Sequence, residues 1–430
     1  MAESNIETFD FPQVEVGFFL SRLEESMRTS MAKMEAEKEA YSKLTPEQQK
    51  VYQWQEIPRP MLAIGKAGIG KTEGVRGVAR ALGIGMKEMR LVNYTETDLI
   101  GIPYLKDGRT LHGTNDLFPV EERDGEYGFL LVDEFTSASR NIQVPILQLT
   151  DSSRAIGNYN LPKGWKIIIA GNGPNDGGTF VNLPGTVISR SSCYYVQASS
   201  DSWLSWAAKN NIHPAIRAFI KSNPNEIHGY NEDYDTGYDR AFPCPRAWTN
   251  LSTELYDIDN RTPDWAKSED SFAANSYTVS VLVSSYIGTV ASDKFMNFLR
   301  YESKLIEPNL IIMGKPNLPK LASMEAPVAY FQLSILNDAL SNIFKNPNTD
   351  ILLQRKVDDR LLKAVANCFN WVLDSCSPES ERAVYATTEF MDASAGIAPL
   401  IIQSPQFNAL CPKFSKLGQN LAALFAPGTK

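Results

Sequence analysis

Two short stretches of this 430-residue chain carry residue types and spacing suited to chemistry on phosphates. Residues 65–72 read GKAGIGKT, the spacing Gly-x-x-x-x-Gly-Lys-Thr. In such a loop the backbone N–H groups, here those of Gly65, Lys66, Ala67, Gly68, Ile69 and Gly70, cradle phosphate oxygens. The lysine, Lys71, reaches the outer phosphates, and the hydroxyl of Thr72 meets Mg2+. Residues 128–134 read GFLLVDE, an apolar run that ends in two acids. Asp133 is suited to hold Mg2+ near the Thr72 hydroxyl. Glu134 is suited to orient and deprotonate an attacking water, because phosphoryl transfer needs mainly positioning and charge stabilisation. Taken singly, the first stretch also fits a glycine-rich turn and the second a solvated strand end. Together they point to Mg2+-assisted phosphoryl transfer.

Such groups work only if regular elements bring them to one place. Residues 61–64, MLAI, read as a buried strand that feeds the Gly65 loop. After the loop, Val75, Val78, Ala79 and Leu82 recur at helical spacing, and Gly83 suits a helix stop. The loop therefore lies between a strand and a helix, whose N-terminus aims unpaired N–H groups and a positive dipole end at an anion. Further short apolar runs at 91–94, 129–132, 167–170 and 193–196 alternate with helix-like segments, the pattern of a parallel sheet covered by helices. The expected fold class is α/β. Residues 1–50 read as helical, with Phe19, Leu23, Met27 and Met31 at every fourth position, and a second helix is predicted from the capping box Thr45-Pro46-Glu47-Gln48. Beyond residue 199 the strands fade, and segments at 204–208, 216–220, 295–305 and 361–373 predict helices. The expected division is an N-terminal helical segment 1–50, an α/β core 51–198, a helical lid 199–300 and a helical extension 301–430.

Composition narrows the class of protein. With 43% apolar and 21% charged residues the chain is ordinary for a globular protein. Its formal net charge of −8 argues against a surface built mainly for nucleic acid or anionic membrane, although a local basic pore is compatible with it. The five cysteines, Cys193, Cys244, Cys368, Cys376 and Cys411, are odd in number, scattered and never in a C-x-x-C pair, so neither a disulfide framework nor a zinc site is expected. The N-terminus lacks a signal-peptide profile and no stretch is long and apolar enough to span a bilayer. The expectation is a cytoplasmic protein without membrane insertion.

The order of motifs along the chain resembles an AAA+ ATPase, and more narrowly its MoxR-like branch. Residues 97–101, TDLIG, resemble the D-L-x-G element. Residues 143–149 with Asp151 and Arg154 resemble the Q-x-x-L-L-Q-L…D-R stretch, 161–172 the third strand block, and 242–248, FPCPRAW, the F-P-x-P-R-x-W element of the lid. The match runs from about residue 58 to 250. The resemblance implies ATP and Mg2+ as ligands and an oligomeric ring, a hexamer. It also implies a chaperone-like task in remodelling or maturing a protein partner, with a von Willebrand factor A domain adaptor. It assigns Asn172 to the sensor-1 position, where a polar side chain helps place the water, and Arg246 to the sensor-2 position on the lid. Arg190 falls where the family has an arginine finger directed at the neighbouring subunit's nucleotide. Here the usual N-R-F context is replaced by S-R-S, and Arg154 is the other candidate.

Two hairpins are predicted, one about Asp107-Gly108 where the branch carries its helix-2 insert, and one about Gly157-Asn158 before the sensor-1 strand. The acidic stretch with Asp233, Asp235 and Asp239 resembles a calcium loop in composition but lacks the EF-hand spacing. Two alternatives to the remodelling reading remain at this level. One is a nucleic-acid motor or defence component, kept open by Lys106 and Arg109. The other is a nucleotide-gated scaffold without turnover, which an intact Glu134 disfavours.

Overall fold

The computed structural model describes residues 11–52, 58–113, 115–174, 176, 180–230, 241–344, 359–394 and 397–414; the acidic stretch 233–239 lies outside them. These residues gather into two compact units. The first runs to Ser199 and includes Tyr230, and the second comprises Ser200–Gly229 and the residues from Ala241 onward.

The first unit is built on a six-stranded sheet, and every pairing in it is parallel. Its strands are β1 (Gln13–Glu15), β2 (Met61–Ile64), β3 (Gly85–Arg90), β6 (Gly128–Asp133), β9 (Trp165–Gly171) and β10 (Ser192–Gln197), in the spatial order β1-β10-β2-β9-β6-β3. Alternate residues serve opposite faces, as strand geometry requires. Leu62, Ile64, Leu130, Val132, Ile167 and Ile169 join one core with Phe118, Phe135, Ile146 and Val187. Met61, Ala63, Phe129, Leu131, Ile168 and Ala170 join the other, with Phe19, Leu23 and Met27 of the long helix Val16–Ser42 and Val75, Val78 and Ala79 of the helix Lys71–Leu82. Burial on both faces explains why residues 61–64 of β2 and 167–170 of β9 read as unbroken apolar runs. The expected α/β class with a parallel sheet flanked by helices, followed by a helical region, is present.

Two sequence expectations are corrected. The N-terminal region is not helical throughout: β1 precedes its helix and pairs with β10, Val14 opposite Val196. Three residues, Gln-Val-Glu, give no periodic signal, so only the neighbouring strand reveals this one. The second strand of the core is Gly85–Arg90, not 91–94. It pairs only with β6 and forms the sheet edge, which tolerates Lys87, Glu88 and Arg90. The apolar run instead makes a 3-10 turn, Leu91–Asn93, that drops Leu91 into the core.

The predicted hairpins are both present as two-stranded units, β4 (Pro103–Lys106) with β5 (Arg109–His112) and β7 (Ala155–Ile156) with β8 (Tyr159–Asn160). Asp107 and Gly108 both have positive φ, 51° and 70°, as a tight hairpin turn demands. The capping box at Thr45 forms as predicted and starts the helix Pro46–Lys50. No helix among the described residues is long and apolar enough to cross a membrane.

The second unit is helical. Phe219, Trp248, Phe295, Phe298 and Phe331 form one contiguous aromatic cluster, with ring centroids 5.2–5.5 Å apart in each contact. The FPCPRAW stretch has a structural reason for its second proline and its tryptophan. Pro245 opens the helix Pro245–Arg261, and Trp248 is fully buried with its indole N–H on the Glu226 carbonyl. Arg217, also fully buried, is answered by Glu389 at 3.0 Å.

Lys166 is the costly residue of the sheet. It is buried beside Phe129, and its amine donates to Ser26 Oγ of the N-terminal helix at 2.9 Å. Desolvation pushes its pKa down to about 8, with nearby Arg154 adding to the effect. A lysine with a depressed folded-state pKa is penalised wherever it is charged in both states. The penalty is therefore complete below about pH 8 and fades as pH rises toward the unfolded value. Lys166→Met should stabilise the protein at pH 7 by about 2 kcal/mol after allowing for the lost hydrogen bond. The gain should fall above about pH 8 and vanish near about pH 9.5, the lost hydrogen bond leaving the variant slightly the less stable by about pH 10.5. Denaturant melts of both proteins from about pH 7 to 10.5 check this, and a variant that is destabilised at pH 7 or whose difference is pH-independent would contradict it.

Candidate active site

The phosphate-type loop leaves β2 at a point where the backbone is crowded. A Cβ on Gly65 would lie 2.0 Å from the Val196 carbonyl oxygen of β10, so only glycine lets the chain leave the sheet here. The Gly65 N–H still bonds to the Gly171 carbonyl of β9 at 3.1 Å, which ties the loop to the sheet. Gly68 and Gly70 then take left-handed conformations, φ 76° and 95°, and Gly70 becomes the N-cap of the helix Lys71–Leu82. No side chain caps that helix. Its first turn keeps the donor character and dipole that favour an anion. Space is open around the position of a Gly70 Cβ, on the outer side of the loop.

Lys71 is buried and folds over the loop, its ammonium donating to the carbonyls of Gly65 and, at 2.9 Å, of Lys66. Thr72 Oγ1 donates to Asp133 Oδ2 at 2.6 Å, and Asp133 Oδ1 accepts the N–H of Glu134 at 2.9 Å. The acid of β6 and the hydroxyl of the loop helix thus meet directly. A hydroxyl and a carboxylate form a hard oxygen pair of the kind Mg2+ uses when phosphates complete its shell. The donor set fits Mg2+ with a nucleoside triphosphate: Thr72 and Asp133 would hold the ion, and the 65–71 backbone with Lys71 the phosphates. Among the described residues no group of three or more His, Cys, Asp or Glu could hold a metal by itself.

Glu134 has φ 56°, in the left-handed region that is rare for a non-glycine residue and that concentrates at functional sites. The turn redirects the chain just after β6. Register then places the strand ends together: Ile64 pairs with Gly171 and Val132 with Ile169, so Gly65, Asp133, Glu134 and Asn172 occupy one edge of the sheet. The backbone of Asn172 is held by Thr136, whose hydroxyl accepts the Asn172 N–H at 3.0 Å and donates to its carbonyl at 2.9 Å. Buried Asp176 accepts the Gly173 N–H at 2.8 Å and the Tyr195 hydroxyl at 2.6 Å. Neither Thr136 nor Asp176 carries a signal in sequence beyond its closeness to a motif.

The arginines lie elsewhere. Arg190 ends the helix Gly185–Arg190, two residues before Ser192, which pairs with Met61 at the start of β2. The Gly65 loop begins at the far end of β2, about 13 Å further along at strand rise. With Pro60, Asp151 and Arg154, Arg190 lines a cleft of about 360 Å3 at that opposite edge, and its guanidinium is 3.5 Å from Asp151 Oδ2. Arg154 is buried, with φ 47°, and its guanidinium donates to the carbonyls of Trp165 and, at 3.3 Å, of Pro162. Burial lowers its pKa to about 10. Arg246 is exposed in the first turn of Pro245–Arg261, in the second unit.

No protein-family model and no curated protein matches this chain. Among solved structures it aligns with a mutant of Thermotoga maritima RuvB at 13% identity and a TM-score of 0.31, over 71% of this chain and 84% of that one. With the Thermotoga maritima RuvB Holliday junction branch migration motor the values are 14%, 0.28, 63% and 76%. Identities and TM-scores this low carry no argument about this chain, whose fold rests on the topology described above.

The Thr72–Asp133 pair makes a test. Asp133→Asn keeps the hydrogen bond from Thr72 but removes the charge, so the Mg2+ concentration for half-maximal binding of a fluorescent ATP analogue should rise about tenfold, or about 1.4 kcal/mol. Unchanged Mg2+ dependence would count against the assignment.

Proposed function

We propose that the chain is a Mg2+-dependent ATPase of the AAA+ class, resembling the MoxR-like branch. On this reading it works as an oligomeric ring, a hexamer as the resemblance implies, and couples hydrolysis to remodelling or maturing a protein partner. The observation that carries the ATPase reading is the hydrogen bond between Thr72 and Asp133, made across two parallel strand ends with Glu134 next in line. ATP and Mg2+ are the ligands. Lys71 would neutralise the outer phosphates, Glu134 would orient and deprotonate the water, and Asn172 would help place it.

The ring reading draws on Arg190. At the opposite edge of the sheet from its own loop, the side chain is too far to touch a nucleotide held at Gly65–Thr72 of the same chain. A contact between Arg190 and a γ-phosphate therefore requires a second subunit. Arg154 is the weaker candidate, since its guanidinium is buried against backbone carbonyls. The sensor-2 role of Arg246 is carried by the resemblance alone.

The β4–β5 hairpin supports a partner-binding role, because Leu105 on it and Ile102 just before it are 79% and 71% exposed. The adaptor with a von Willebrand factor A domain is carried by the resemblance alone. A nucleic-acid client is the second reading, favoured by the cross-strand pair Lys106 and Arg109 beside the hairpin turn. Affinity for DNA or RNA that falls steeply with salt would support it.

Mixing tests the shared site. Glu134→Gln and Arg190→Ala should each abolish turnover. Equimolar mixtures should recover roughly a quarter of wild-type activity, because random neighbours in a closed ring rebuild intact sites at that frequency. No recovery at any ratio would sink the shared site, and full activity of Glu134→Gln alone would sink the ATPase assignment.

A further inference from the structure

Thr136 is fully buried, yet it sits only two residues past Glu134 and uses its polar atoms on other segments. Its hydroxyl both accepts from the Asn172 N–H and donates to the Asn172 carbonyl, at 3.0 and 2.9 Å. Its own carbonyl accepts the Val181 N–H at 2.6 Å. Three segments therefore meet at one threonine: the turn after the acidic strand, the end of β9, and the chain that leads to the Gly185–Arg190 helix. The next residue back on β9 is fitted to it, since a Cβ on Gly171 would lie 2.5 Å from Thr136 Oγ1 and 2.9 Å from its Cγ2. The same Gly171 carries the carbonyl that holds Gly65 of the phosphate loop.

A reciprocal pair of hydrogen bonds to one peptide fixes that peptide's plane and height as well as its distance. A threonine can do this because its hydroxyl is both donor and acceptor, and its methyl group locks χ1. The partner peptide belongs to Asn172, the residue read as helping to place the water. The turn that delivers Thr136 to it is the strained one at Glu134, φ 56°. Glu134 and Asn172 follow different strands, β6 and β9, and Thr136 joins their turns through both a donor and an acceptor.

We propose that Thr136 is a positioning residue that locks the Asn172 peptide to the Glu134 turn, so that the general base and the water-placing amide keep one relative geometry. This rests on the ATPase reading above and adds to it a residue that touches neither nucleotide nor water. Displacement of a positioned group by about 1 Å can cost up to a hundredfold in rate. The loss falls on the chemical step and spares nucleotide binding, which the Gly65–Thr72 loop provides.

The test uses the full chain with three variants. Thr136→Val keeps the shape and removes the hydroxyl; it should lower kcat tenfold to a hundredfold with KM for ATP within about twofold of wild type. Thr136→Ser keeps the hydroxyl and should stay within about threefold of wild type. Gly171→Ala pushes on the same contact, and combined with Thr136→Val it should cost no more than the worse single change, because both act through one contact. Hydrogen exchange at the Asn172 amide, read without turnover, should speed up in Thr136→Val and not in Thr136→Ser. Wild-type kcat in Thr136→Val, equal damage in the Ser and Val variants, additive losses, or unchanged exchange at Asn172 would each overturn the proposal. If instead wild type and Lys71→Ala alike show no ATP turnover, the ATPase reading fails, which is a separate and recognisable outcome.

Discussion

The register between β2, β9 and β6 fixes where the segments of the proposed phosphate site leave the sheet. Because Ile64 lies opposite Gly171 and Val132 opposite Ile169, the loop, the acids and Asn172 leave the sheet within a residue or two of one another. A slip of one residue would turn each strand's side chains to the wrong face. It would bring Lys166 and Ile168 into the core of Ile167 and Ile169, and carry the acid of β6 away from Thr72. The hydrophobic alternation on both faces thus sets the position of Asp133 to within hydrogen-bond reach, and the chemistry inherits its precision from packing.

The edge that carries the loop and the edge that carries Arg190 are opposite ends of the same strands. A strand cannot fold back to bring its two ends together, so the separation is a property of the sheet and not of a side-chain rotamer. An arginine that ends the helix before β10 and a glycine loop that follows β2 can share a ligand only between two copies of the chain. The Asp151 carboxylate 3.5 Å from Arg190 gives the guanidinium a partly exposed partner in the single chain, and pairs of that kind contribute little. Little free energy would oppose exchanging it for a phosphate.

Much of this was legible in the sequence, for reasons that differ from element to element. The loop, its strand and its helix could be read because glycine spacing, a four-residue apolar run and a 3.6-residue period each have one simple physical cause. The Asp107-Gly108 hairpin could be read because a tight turn needs positive φ at both residues. The edge strand β3 could not. It pairs with one neighbour only, so Lys87, Glu88 and Arg90 are tolerated and obscure it, while the 91–94 run, which buries Leu91 in a turn and exposes Val92, imitates a strand. β1 was invisible for a related reason: three residues cannot show a period, and only β10 makes them a strand. At the site, the groups proposed to touch ligand had motif signatures. Those that hold other groups, Thr136 and Asp176, had none, because their function lies in contacts between segments 36 and 19 residues apart.

The buried polar groups of the first unit separate by what answers them. Gln143 spends its amide on the carbonyls of Phe135 and Ala138, and Arg154 its guanidinium on those of Pro162 and Trp165. Each closes a turn that has no helix or strand to satisfy it, and so each is explained by the fold. Lys166 is answered only by a neutral hydroxyl, and its burial costs stability without a charge to offset it. Asp176 and Thr136 are different: both hydrogen-bond to other segments, and both of their partner sets include the peptide groups at 172–173. Apolar side chains could fill the same volume, but they could not fix the plane of a peptide. Two independent polar anchors on one turn are more than holding the chain in place requires, and they are what an amide held to a fraction of an ångström does require.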